Sequence, residues 1–430
     1  METIRKKIKL VTFAPHPNFG TCLQSYALNM VLRKMGHDVE FIYNGRDVPA
    51  RGVYGSFKDF LKYILPKTLV ESIRRQKKQH AKVARPSIEL AGTQHVAPEI
   101  ITLPNSRFRY LLSKTPFYDH IYRFLKCRTL QWKKVYAFTF EDGNFQMKRL
   151  YTLQQYEETE KDADLFVTGS DQIWNPYCGG FNPMMFLEFV KTKKCIAYSS
   201  SVARACFPPE VEERAKRDLQ RFSHIAVREE TTVPMLKRLL ERDDIRAVVD
   251  PTYLLTRGEW QMFGERAKIE FKLPERYIFC YFIGFRRADY MAMVEDVKKK
   301  TGITDVITID CVNCDVNYGG GLVYKNGGPY EFVYLLSHAS FVCMDSFHAT
   351  VFALKFNVDF AHILKTKEDN DQTSQNTRMY DLLRRYNLLY KIYSEESEEW
   401  LKPVEWTQVE GMMDNEIASS MQYLKNAIME

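Results

Sequence analysis

Residues 9–43 contain a complete strand–loop–helix–strand unit, and that unit constrains the fold more than any other feature of the chain. Lys9-Leu10-Val11-Thr12-Phe13 is a β-type apolar run, and Ala14 to Gly20 holds two prolines, an asparagine and a glycine. A helix follows, with Leu23, Tyr26, Ala27, Met30 and Val31 spaced i, i+3, i+4, i+7 and i+8 on one face. Gly36 stands at the C′ position that ends such a helix, and Val39-Glu40-Phe41-Ile42-Tyr43 reads as the next strand. That order implies a right-handed parallel βαβ unit. In parallel sheets ligands collect at the carboxyl ends of the strands, which is where the loop from Ala14 to Gly20 lies.

The same pattern returns twice. Asp164–Thr168, Lys194–Tyr198 and His224–Val227 read as buried strands, and a further run at Arg246–Val249 is ended by Asp250-Pro251. After a linker near 256–272 come a strand at Tyr277–Phe282, a helix from Ala288 to Lys300 ended by Gly302, and a strand at Val306–Ile309. A helix near 329–337, a strand at Phe341–Met344, a helix from about 347 and a strand at Val358–Phe360 complete the second set. A chain of 430 residues exceeds one ordinary core and suits two domains of roughly 150–200 residues. The expected fold is therefore α/β, with two Rossmann-like domains facing a cleft. Residues 1–258 form the first and 259–405 the second, while a helix in 406–430 packs back on the first. A basic, aromatic-rich stretch at about 50–145 reads as a mostly helical insertion.

Composition excludes several classes. Hydrophobic and charged fractions of 45% and 27% are those of a soluble globular protein. No apolar run approaches the roughly 20 residues of a membrane span, and the first residues lack signal-peptide character, so a cytoplasmic location is expected. The nine cysteines are scattered, several within apolar segments, as buried thiols in a reducing compartment would be. Cys311 and Cys314 form a single Cys-x-x-Cys with no second pair, too few ligands for a metal site. Arg74, Arg75, Lys77, Lys78, Lys82 and Arg85 concentrate the net charge of +7. They read first as a solvated helix face and second as a foot on an anionic membrane surface. No nucleic-acid module accompanies them.

Three loops share one layout, in which an apolar strand ends and a short polar string follows. The first is Pro17-Asn18-Phe19-Gly20-Thr21, leading into Leu23-Gln24; a helix start of this kind presents free amides and a positive dipole end to an anion. The second is Thr168-Gly169-Ser170-Asp171-Gln172-Ile173-Trp174-Asn175, where hydroxyl, carboxylate and amide stand together and Trp174 offers a flat face to a sugar ring. The third is Asp345-Ser346-Phe347-His348, with Ser346 as helix N-cap and His348 in the first turn, able to move a proton near neutral pH. Each string also suits a plain capped turn.

In order along the chain, these strings resemble the polysaccharide pyruvyl transferase family. The likeness covers Asn18-Phe19-Gly20 with Leu23 to Leu28, Gly169 to Asn175, Ala197 to Ser201 and Val227-Arg228-Glu229. It continues through Asp250 to Leu255, Gly328 to Phe332, Asp345 to His348, and Arg378 before Asp381-Leu382-Leu383. The resemblance implies a two-domain fold similar to GT-B glycosyltransferases. It also implies phosphoenolpyruvate as co-substrate, no cofactor or metal, and a pyruvate ketal on a sugar as product. In the family an arginine-x-histidine string and a first-domain arginine bind the donor. His348 matches the histidine and Arg228 the first-domain arginine, while Ser346 stands in place of the other arginine.

On that resemblance His348 and Asp171 are the expected proton-transfer groups. Arg228, Ser346, Asn18 and Gly20 join His348 in holding the donor, and Gln172, Trp174, Asn175 and Gln24 face the acceptor. A lipid-linked acceptor would give the basic segment a purpose at the inner membrane surface. Two rival readings remain open: a GT-B glycosyltransferase using a nucleotide sugar, and a non-catalytic glycan-binding protein.

Overall fold

The computed structural model describes residues 5–13, 18–44, 103, 105–114, 130–178, 180–284, 286–309, 317–366 and 376–430. The basic segment at 74–85, the Cys311/Cys314 pair and most of the expected insertion lie outside the described residues. The described residues fall in one compact unit formed by Met1–Gly45 and Pro98–Glu430.

The chain opens with β1 (Lys7–Val11), α1 (Phe19–Lys34) and β2 (Asp38–Asn44), then α2 (Arg107–Ser113) and α3 (Leu130–Tyr136). β3 (Met147–Leu150), α4 (Leu153–Asp162), β4 (Leu165–Thr168), β5 (Lys194–Ser200), α5 (Pro209–Leu219), β6 (His224–Val227), α6 (Thr232–Leu240) and β7 (Arg246–Ala247) follow. α7 (Pro251–Leu254) and α8 (Arg257–Gly264) lead to β8 (Ile278–Tyr281), α9 (Arg287–Thr301), β9 (Val306–Ile309) and β10 (Leu322–Tyr324). The chain ends with α10 (Pro329–Ser337), β11 (Phe341–Met344), α11 (Phe347–Phe356), β12 (Phe360–His362), α12 (Thr377–Arg385) and α13 (Trp406–Met429).

Two sheets result, every pairing parallel. Their orders are β3-β2-β1-β4-β5-β6-β7 and β10-β9-β8-β11-β12. Parallel strands are covered on both faces, so they read as unbroken apolar runs; β4, β8, β9 and β11 are buried at every residue. The expected pair of Rossmann-like α/β sheets is what the chain forms. Two edge strands gave no such run. β3 is Met147-Lys148-Arg149-Leu150, half-buried over three of its residues, and β10 has only three residues.

α1 is buried along most of its length, not on one stripe: twelve of its sixteen residues are inaccessible. The reason is its place in the seam between the sheets. Phe19 stacks on Tyr281 at 6.0 Å and meets Phe332 at 5.9 Å, both from the second half. Each such ring contact adds roughly 0.5–1.5 kcal/mol to simple burial. α13 lies on the first sheet, where the Val249 amide donates to Ser420 Oγ at 3.0 Å and Tyr423 Oη to the Ala197 carbonyl at 3.5 Å. Among the described residues, no helix is long and apolar enough to cross a membrane.

Candidate functional site

In each sheet the strand order reverses at one place, between β1 and β4 in the first and between β8 and β11 in the second. Loops leaving the carboxyl ends of β1, β4 and β11, together with the loop after β6, carry the polar and charged side chains, at the end of the sheets where this topology favours a ligand. The first sheet contributes Asn18 to Thr21 after β1, Gly169 to Asp171 after β4 and Arg228-Glu229 after β6. The second contributes Asp345 to His348 after β11. These segments converge on one buried cluster of charges.

Arg228 is its centre. The guanidinium lies 3.1 Å from Glu229 Oε1, 3.2 Å from Asp250 Oδ2 and 3.5 Å from Asp171 Oδ1, with its carbon 4.1 Å from the Phe347 ring centre. Burial disfavours its charge, but Glu229, Asp171 and Asp250 outweigh that and raise its pKa. Asp171 accepts a hydrogen bond from Thr21 Oγ1 at 2.8 Å. Burial alone would push its carboxyl up; the charges of His348, Arg228 and Arg378 prevail and hold it below the ordinary carboxylate range. Gly169, at φ +121°, packs on the Tyr198 carbonyl, where a Cβ would clash.

Asp250 ties the two halves together. Oδ1 takes the amide of Thr252 at 3.0 Å and its hydroxyl at 2.8 Å. Oδ2 takes Ser170 Oγ at 3.0 Å and faces His348 Nε2 at 3.5 Å. Against the upward push of burial, the charge of His348, then that of Arg228, holds its carboxyl well below the usual range. His348 comes from α11 in the second half and rests on Gly20 of α1, where no larger residue leaves room for the ring. His348 Nε2 and Arg228 Nη2 are both buried without a hydrogen-bond partner. Orphaned buried donors are uncommon in native folds, and two in one cluster suit a site built to receive an anion.

The structure brings Asp171, Arg228 and His348 together. The other expected residues lie in the same loops, with contacts of their own. Ser346 caps α11, its Oγ accepting the Ala349 amide at 3.4 Å. Asn18 caps α1 by accepting the Gly20 amide at 3.0 Å, and the Phe19 amide donates to Tyr281 Oη at 3.3 Å. Gln172 and Asn175 bond each other at 2.9 Å. Two expectations need correction. Trp174 is fully buried and donates to the Met185 carbonyl at 3.2 Å, stacked on Phe186, so it offers no face to a sugar. Gln24 is equally buried; it accepts the Ser170 amide at 3.1 Å and donates to Thr12 Oγ1 and the Thr21 carbonyl. Both brace the Asp171 loop from behind.

Sequence reasoning missed four residues. Asp250 and Glu229 stood in the quoted strings but were read as a strand end and a neighbour of Arg228. Arg378, at the start of α12, is buried; desolvation and the repulsion of Arg228 lower its pKa. Lys365, just past β12, is half-buried with a lowered pKa, burial outweighing the pull of Asp345. It has no hydrogen bond or ion pair among the described residues. The only sequence signal was position, a cation soon after the end of a strand.

The family model for polysaccharide pyruvyl transferase matches residues 18–364. No curated protein matches the chain. Among solved structures, a Listeria monocytogenes protein described as a UDP-N-acetylglucosamine 2-epimerase is similar at 12% identity, covering 98% of this chain and 97% of that one, with a TM-score of 0.43. The UDP-GlcNAc 2-epimerase of Neisseria meningitidis gives 10% identity over 99% and 94% at 0.41. The glycosyltransferase SnogD of Streptomyces nogalater gives 11% over 97% and 95% at 0.36.

Proposed function

Since the chain belongs to the polysaccharide pyruvyl transferase family, we propose that it moves the pyruvyl group of phosphoenolpyruvate onto a sugar of a cell-surface polysaccharide or its lipid-linked precursor. The product is a pyruvate ketal, and the work is done at the cytoplasmic face of the membrane. The observation that carries this reading is the meeting of Arg228 and His348, each with an unpartnered buried nitrogen, beside Asp171 and Asp250.

The chemistry has definite needs. The enol phosphate must gain a proton at C3 so that C2 becomes electrophilic; a sugar hydroxyl then attacks C2 and loses its proton, phosphate leaves from C2, and a second hydroxyl takes its place to close the ketal. Donor carboxylate and phosphate require cations held in place before reaction, because preorganised charge is the largest catalytic term in a dry site. Arg228 Nη2, Arg378 and Lys365 supply them. His348, beside the Asp250 carboxylate, carries the proton for C3, and Asp171 takes the proton of the attacking hydroxyl. Asp250 acts by orienting the imidazole.

The test is release of inorganic phosphate from phosphoenolpyruvate in the presence of a panel of lipid-linked and free sugar acceptors. Turnover in the wild type that drops at least 100-fold in His348→Ala supports the reading. Turnover with a nucleotide sugar and none with phosphoenolpyruvate would transfer the site to glycosyl transfer.

A further inference from the structure

The string Arg378…Asp381-Leu382-Leu383 was part of the family likeness, yet the reaction above uses only Arg378. Arg378, Asp381 and Arg385 stand at i, i+3 and i+7, on one face of α12. That face meets the loop Arg228–Thr231, which joins β6 to α6 and carries the central guanidinium.

Asp381 Oδ2 accepts the Thr231 amide at 3.1 Å and the Thr231 hydroxyl at 2.7 Å. Thr231 is the N-cap residue of α6, but its backbone is helical (φ −62°, ψ −22°) and its side chain caps nothing. Asp381 therefore provides, from 150 residues away, the acceptor that this helix start lacks. A carboxylate there also meets the positive end of the helix dipole. One turn further on, Arg385 Nη2 donates to the Arg228 carbonyl at 3.4 Å and lies 3.5 Å from Glu230 Oε1. A small cavity lined by Arg228, Asp250, Phe347, Arg378, Asp381 and Arg385 lies beside this contact.

We propose that Asp381 and Arg385 are positioning residues for Arg228, so that the donor cation of the first half is aimed by a helix of the second. Neither touches reacting atoms. Asp381 fixes where α6 begins, and Arg385 fixes the carbonyl of Arg228 itself. Between them they hold both ends of a four-residue loop. Arg228 can meet Asp171 and Asp250 in the observed geometry only while α12 is docked. Donor binding and docking of the two halves are thereby coupled, and the coupling runs through a backbone segment, not through substrate. The inference rests on Arg228 being the donor's cation.

The experiment uses the full chain with Asp381→Ala, Asp381→Asn and Arg385→Met. It measures kcat and KM for phosphoenolpyruvate, melting temperature, and amide hydrogen exchange across residues 228–233. Losing a two-pronged bond to a carboxylate should raise the donor KM about tenfold in Asp381→Ala, with kcat changed less. Exchange at Thr231 and Thr232 should quicken. Asp381→Asn keeps an oxygen for both Thr231 donors and should recover KM to within about threefold of wild type. A lower melting temperature with donor KM unchanged would reduce Asp381 to a structural contact and overturn the proposal. If Asp381→Ala does not fold, Arg385→Met carries the same comparison. A wild type that never saturates with phosphoenolpyruvate would sink the donor assignment instead. Hydrogen exchange still decides the positioning in that case, and unchanged exchange at 228–233 in the variants would overturn it.

Discussion

His348 of the second half packs directly on Gly20 of the first, and a methyl group at position 20 would overlap its Nδ1, Cβ and Cγ. Gly20 sits in the first turn of α1 without positive φ, so alanine suits the backbone and in a free helix would be favoured by up to about 1 kcal/mol. The overlap opposes that gain at a cost of roughly 1–3 kcal/mol for overpacking. Gly20→Ala should therefore lose stability, by up to about 2 kcal/mol. Activity should not escape, because a misplacement of about 1 Å in a catalytic group costs on the order of 100-fold. Turnover and melting temperature measured on the same preparation check this, and a fully active Gly20→Ala would show that His348 need not stand where it does.

Asp250 should govern the acid limb of stability. Its carboxyl is held well below its ordinary value by His348 and Arg228 against the cost of burial. An unfolded aspartate titrates near about 3.9, so between that value and the folded one the unfolded chain binds the extra proton. Stability from this group is complete above roughly pH 4 and is lost as pH falls through the folded value. Asp250→Asn should cost about 3–5 kcal/mol at neutral pH, since it leaves Arg228 and His348 short of a buried partner. Its stability should also fall less steeply below pH 4 than that of the wild type. Urea midpoints between pH 3 and 7 decide it: parallel curves for the two proteins would remove Asp250 from the acid transition.

Gln24→Met keeps the length of the side chain and removes its polar end. The Ser170 amide then loses its acceptor inside the protein, at a cost of about 1–3 kcal/mol. Because Gln24 is wholly buried behind the Asp171 loop, the acceptor KM of the folded enzyme should stay within about twofold. A large rise in acceptor KM at unchanged stability would restore Gln24 to the acceptor site.

What could be read beforehand, and what could not, follows the physics of these residues. Apolar runs located ten of the twelve strands, most of them covered on both faces; β3, half-buried over three residues, and β10, three residues long, lacked that signature. The polar strings after β1, β4 and β11 do converge on one buried charged cluster, since such groups are costly unless bonded or exposed. Sequence does not say which of the two applies. Trp174 and Gln24 are bonded inward, whereas His348 and Arg228 keep a donor unpaired. Asp250 looked like the end of a strand because Asp-Pro is also how a helix starts, and α7 starts there. Lys365 sits in a charged stretch with Lys367, Glu368 and Asp369 that reads as a solvated turn; only folding sets its charge near Asp345, Arg378 and Asp171.

On the proposed function, Lys365 would serve the donor at the expense of stability. Burial lowers its pKa, and it has no hydrogen bond or ion pair among the described residues to offset the loss of water. A folded pKa below the unfolded one means that the unfolded chain holds the proton more firmly, so this group opposes folding below its unfolded value and its penalty fades as pH rises toward it. Lys365→Met removes the charge and keeps the apolar stem. It should raise the melting temperature at pH 7 by roughly 1–2 °C, the modest shift a chain of this size shows for a change near 1 kcal/mol. The same variant should bind phosphoenolpyruvate at least tenfold more weakly, because one cation facing the donor is gone. Stabilisation by 100 times the dissociation constant of donor, about 2.7 kcal/mol in the wild type, would shrink in proportion. Thermal melts with and without donor read both effects at once. A variant that loses stability while keeping donor affinity would place Lys365 in the scaffold, and a variant that gains stability while losing affinity places it in the site.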